Sequence, residues 1–131
     1  VSHIATIDLE VKDLVALQSA CNRLGVEFRQ NQKQFRTFGG RSNPCDAAIC
    51  LKDNPQAYEI GLLKRTDGRS GYLLNTDFWA GGKGLVAAVG QNACRLRQVY
   101  AIEASKAKAR RSGQQVQERT LPNGAIQLTV G

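Results

Sequence analysis

The chain has no CxxC pair and a single histidine, His3, so its four cysteines, Cys21, Cys45, Cys50 and Cys94, make a poor zinc set. Their spacing shows no disulfide framework, and free thiols in a reducing compartment, the cytosol or its organellar equivalent, fit best. Cys21 and Cys94 fall within helical patterns, where cysteine is usually a small buried hydrophobe. No apolar run approaches the ~20 residues of a membrane span, and the N-terminus lacks the charged-then-apolar layout of a secretory signal. Linkers, low-complexity tracts and convincing repeats are also missing, which leaves a single domain over residues 1–131. Acids are scarce. Eleven face eighteen lysines and arginines, and the net charge of +7 with a pI near 9.6 favours an acidic partner such as a protein patch or nucleic acid, or else a plain solvated basic face.

What is present reads as strands and helices in a definite order. Ile4 to Val11 alternates as a strand, and Asp13 is placed to cap a helix through Leu14, Leu17, Cys21 and Leu24 that stops at Gly25. Val26 to Arg29 and Phe35 to Phe38 suggest a hairpin around Gln30 to Gln34, ended by Gly39-Gly40. Ala47 to Leu51, Tyr58 to Leu63 and Gly71 to Asn75 form an expected antiparallel meander, punctuated by Asp53-Asn54-Pro55 and Asp67-Gly68.

The stretch from Leu85 to Ser112 is the longest helical pattern. Leu85, Val89, Ala93, Leu96, Val99 or Tyr100, Ala104 and Ala107 recur at steps of three and four, which predicts one helix with an apolar stripe against a sheet. Arg95, Arg97, Lys106, Lys108, Arg110 and Arg111 against Glu103 give it five of the seven net positive charges. Gln115 to Thr120 and Ala125 to Val130 then flank Asn123-Gly124, a strong hairpin turn. The order predicts an α+β fold: an antiparallel sheet with two helices on one face, with a ferredoxin-like core plus extra strands as the specific expectation.

Ser2-His3-Ile4, Lys12-Asp13-Leu14, Phe38-Gly39-Gly40, Tyr58-Glu59-Ile60-Gly61, Asp77-Phe78-Trp79, Gln98-Val99-Tyr100-Ala101 and the closing Asn123-Gly124 turn carry a resemblance. In that order they are similar to the characteristic stretches of a small hypothetical-protein family of chloroplast genomes, cyanobacteria and bacteriophages. The resemblance implies a domain of unknown function with no settled catalytic residues or cofactor, an ATPase as neighbour or partner, and the cytosol or plastid stroma as compartment. Ser105 and Lys106 depart from it at helix positions where apolar residues are expected, which suggests that the helix tail projects from the sheet.

Candidate sites are few. Trp79 to Gly84, WAGGKG, places glycines and Lys83 before a helix, a possible anion site with Trp79 beside it; the spacing and Gly84 after Lys83 are not those of a P-loop. Asp46, Glu59 and Asp77 stand in or beside the meander, where convergent carboxylates would allow hydrolase chemistry and dispersed ones would merely solvate strand edges. His3 lacks a second ligand or a nucleophile, and Cys45 lacks an activating base. Arg36, Arg41, Lys64, Arg65 and Arg69 with Phe35, Phe38, Tyr72, Phe78 and Trp79 have the ingredients of a single-strand binder, although aromatics are only 6% of the chain and no nucleic-acid motif is present. The reading is a non-enzymatic binding or adaptor protein with no cofactor and no metal. Its contact residues are Trp79, Lys83, Lys106, Lys108, Arg110 and Arg111, engaging a protein partner. A nucleic-acid accessory protein and a carboxylate hydrolase are the alternatives. Lys106 to Arg111 are expected to add little to folding, because four cations in six residues repel one another.

Overall fold

A computed structural model describes residues 4–131; His3 and the Ser2-His3 part of the resemblance lie outside them. Strand β1 (Ile4–Val11) leads into helix α1 (Leu14–Leu24), followed by β2 (Glu27–Arg29), β3 (Gln34–Thr37), β4 (Arg41–Pro44), β5 (Ala47–Cys50), β6 (Ile60–Lys64) and β7 (Tyr72–Asp77). Helices α2 (Leu85–Val89) and α3 (Cys94–Arg111) and strands β8 (Val116–Thr120) and β9 (Ile126–Val130) complete the chain. The fold is α+β as expected, with a five-stranded antiparallel sheet in the order β1-β7-β6-β5-β2. A ferredoxin-like core would place its first strand inside the sheet. Here β1 is an edge strand, joined by α1 to β2 at the other edge, so the ferredoxin-like order is not the one adopted.

The sheet's two faces are set by alternation. Ile7, Leu74, Leu62, Ile49 and Phe28 point to the side covered by the helices, where they meet Leu17, Cys21, Leu85, Leu96 and Tyr100 in the main core. Asp13 caps α1 with its carboxylate on the Ala16 amide at 3.0 Å, and Gly25 ends it in the left-handed region at φ 75°. The Tyr100 hydroxyl accepts bonds from the Lys12 and Asp13 amides, tying α3 to the start of α1.

The opposite face carries Ala48, Cys50 and Gly61, and there the β3–β4 hairpin packs. Gly61 is required by a close approach: a Cβ built on it collides with the Phe35 ring. The expected hairpin over residues 26–38 therefore does not form. β2 joins the sheet beside β5, while β3 turns through Phe38-Gly39-Gly40 to pair with β4, a strand whose sequence, RSNP, has no apolar residue to announce it. The long helix is also interrupted. Gly90 ends α2, and Asn92 and Ala93 take left-handed backbone before α3 starts, yet the break keeps the apolar stripe in phase, so Leu85, Val89, Ala93, Leu96, Val99 and Tyr100 are all buried. No helix of the described residues is long and apolar enough to cross a membrane.

Candidate binding surface

The three acids of the meander do not converge into a cleft. Asp46 accepts the Lys64 amide at 2.7 Å, at the far end of β6 from Glu59. Over the length of that strand the two are about 13 Å apart. Glu59 and Asp77 do come together, since the Gly61–Asn75 register continued by two residues places them across from each other, but β3 lies over both. Glu59, 6% exposed, receives the Arg36 amide at 2.8 Å and the Gln32 side chain at 3.0 Å. Asp77, 1% exposed, receives the Phe38 amide at 3.0 Å and the Trp79 amide at 2.9 Å. Alternate amides of one strand thus find their acceptors in side chains of the sheet beneath. These carboxylates fix the β3–β4 hairpin and the turn after β7, so the arrangement is a structural clamp.

The same clamp orients Trp79. Its ring meets Phe38 edge-on at 4.8 Å, with both rings half exposed, on the face of the sheet away from α3. From Ala80 to Gly84 five consecutive residues have positive φ, a left-handed turn that exposes the Lys83 side chain while its carbonyl accepts a bond from the Asn54 amide group at 2.8 Å. Gly82 is buried and its carbonyl accepts the Tyr58 amide. The glycine-rich stretch offered as an anion site is therefore an ordered turn whose carbonyls are engaged by Asn54 and Tyr58, and α2, which it precedes, has five residues.

The basic half of α3 divides in two. Lys106 reaches Glu118 of β8 at 2.7 Å and Glu103 at 3.5 Å, and Arg23 of α1 holds the same two acids, gripping Glu118 through both guanidinium nitrogens at 2.9 and 2.8 Å. Arg23 first and Lys106 second hold the Glu118 carboxyl down to about 2. This cluster docks the β8–β9 hairpin on the helix layer, so Lys106 belongs to the fold and the helix tail does not project. Ile102 and Ala109, buried on the same side of α3 as Lys106, agree with that. Arg111 approaches Asp13 at 3.6 Å while remaining well exposed. Lys108 and Arg110 are exposed and make no ion pair among the described residues; the same holds for Arg95 on α3 and for Arg119 on β8. Arg95 is one of the helix cations read from sequence, whereas Arg119 carries no such signal, because the alternation of β8 alone does not reveal that Glu118 faces α3 and its neighbour does not.

All four cysteines are free thiols. Burial pushes the Cys21 and Cys50 thiols up to about 12, and burial followed by the Asp46 charge raises that of Cys45. Cys94, expected to be buried, is exposed at the start of α3, because it lies between Ala93 and Leu96 off the buried stripe, on the solvent side of the helix. Among the described residues no cluster of three or more histidine, cysteine or acidic side chains has the makings of a metal site. Comparison with family models, with curated proteins and with solved structures finds no match.

Proposed function

We propose that this protein is a non-enzymatic binding module whose helix layer docks an acidic surface of a protein partner through Arg95, Lys108, Arg110 and Arg119. One observation carries the reading. The acids of this layer, Glu103 and Glu118, are engaged by Arg23 and Lys106, so the remaining cations face solvent without an opposing charge among the described residues. Exposed cations of this kind steer an acidic partner and set register more than they add raw affinity. An ATPase is the partner class implied by the family resemblance. The test is capture of partners on the immobilised full chain, comparing wild type with the Lys108→Gln/Arg110→Gln/Arg119→Gln variant. The variant should lose the partner while keeping its melting temperature. Retention of the partner would remove this face from the proposal.

A nucleic-acid reading is favoured by a different feature, the half-exposed Phe38–Trp79 pair near Arg41 on the other side of the sheet. Aromatic faces beside cations stack unpaired bases. On this reading, single-stranded oligonucleotide binding falls steeply with salt and is lost in Trp79→Ala, whereas the α3 variant retains it.

A further inference from the structure

We infer that the outer edge of β9 is a self-association surface, through which two copies of this chain pair antiparallel into a continuous four-stranded ribbon. The β8–β9 hairpin forms its own two-stranded sheet. Gln115 and Gly131 exchange both backbone bonds, at 3.0 and 3.1 Å, and the Leu121 amide bonds the Ala125 carbonyl at 2.8 Å. With the register Val116–Val130, Glu118–Leu128 and Thr120–Ile126, the bonded pairs are therefore those at odd positions. The amides and carbonyls of Ile126, Leu128 and Val130 consequently point away from β8, and no backbone partner meets them among the described residues.

Edge strands ordinarily carry a device that prevents pairing. β1 has Asp8, Glu10 and a bulge between Ile7 and Glu10; β2 has three residues, with Glu27 and Arg29; β4 has Arg41 and Pro44; β8 has Glu118 and Arg119. Over β3, the Arg36 amide and carbonyl are both taken up by Glu59. β9, Ile-Gln-Leu-Thr-Val, has no charge, no proline and no bulge.

Its sequence identifies the occupant as a second copy. Turned about a two-fold axis through Leu128, the strand sets Leu128 against Leu128, Ile126 against Val130 and Gln127 against Thr129, matching apolar with apolar on one face and polar with polar on the other. The outward groups of Ile126, Leu128 and Val130 then fall opposite those of Val130, Leu128 and Ile126 in the other copy, so each of these pairs exchanges two bonds. The hairpin touches α3 through β8, which keeps the two helix layers at opposite ends of the ribbon. One strand edge buries well under the ~1,000 Å² of a stable interface, so the dimer is weak and concentration-dependent.

Sedimentation equilibrium of the full chain from about 10 µM to about 1 mM should show the mass rising from 14.3 kDa towards twice that value. Amide exchange at the upper concentration should slow selectively at Ile126, Leu128 and Val130. Two variants test the register. Both Q127E/T129K and Q127E/T129E place an acid opposite Arg119 within the hairpin, so the monomers are alike there. Between copies the first sets opposite charges together twice, and the second sets like charges together twice. The first should associate at least roughly tenfold more tightly than the second. A single 14.3 kDa species at every wild-type concentration, or equal association of the two variants, would overturn the inference.

Discussion

Ala80 and Lys83 hold left-handed backbone at φ 52° and 53°, a conformation that costs an L-residue about 1–2 kcal/mol. Lys83→Gly should therefore raise the urea unfolding free energy by about 1 kcal/mol. A loss of stability would mean that the Lys83 side chain makes a contact worth more than the strain. Gly61 is the opposite case, since its missing side chain is what lets the Phe35 ring lie on the sheet. Gly61→Ala should cost about 1–3 kcal/mol as an overpacked contact, and adding Phe35→Leu should recover part of it. Independent penalties of the two changes would show that the ring is not seated there. The thiols give a third check, because only Cys94 combines exposure with a free sulfur. At pH 8 a thiol reagent should titrate one cysteine quickly in native protein and all four after denaturation. A second fast thiol in the native state contradicts the burial of Cys21, Cys45 and Cys50.

The β8–β9 hairpin is an element that cannot stand alone, because two strands are marginally stable in water and most of its residues are exposed. Its docking relies on Glu118, whose folded value near 2 lies below its ordinary 4.5. The stabilisation is therefore complete above about pH 4.5 and is lost as the pH falls towards 2. Chemical shifts of hairpin amides should move across that window towards undocked values, and Glu118→Gln should abolish the titration; a hairpin that stays docked at pH 2 would assign its anchoring to apolar contacts instead. Sequence revealed this element and its turn, as it did α1 between Asp13 and Gly25 and the meander β5-β6-β7, since each is specified by neighbouring residues. What it concealed depends on distance. β2 chooses β5 rather than the nearby β3, and the partner of Lys106 lies twelve residues ahead on a strand whose orientation no local pattern fixes. The helix break was hidden for another reason: the apolar stripe passes through it in phase. Of the candidate site, the cations of α3 were legible as a group, but the division between Lys106 and its neighbours required the fold.

For the whole molecule, the placement of β1 matters most. It is the first strand described, yet its only ladder among the described residues is with β7, where Ile4 meets Asp77 and Ile7 meets Leu74. A chain growing from its N-terminus holds β1 without its partner until the meander has been made. Asp8, Glu10 and the bulge, which guard an edge in the finished sheet, also keep the waiting strand from pairing with another chain. Late docking has a kinetic signature. Ile7→Val, a loss of about 0.5–1.5 kcal/mol, should appear almost wholly as faster unfolding with little change in the folding rate; an equal slowing of folding would place β1 in the nucleus. If β1 docks last, the edge that closes this sheet is also the first to open, and nascent chains halted before Asp77 emerges should hold a helix and a partial meander while their opening strand remains accessible to a chaperone.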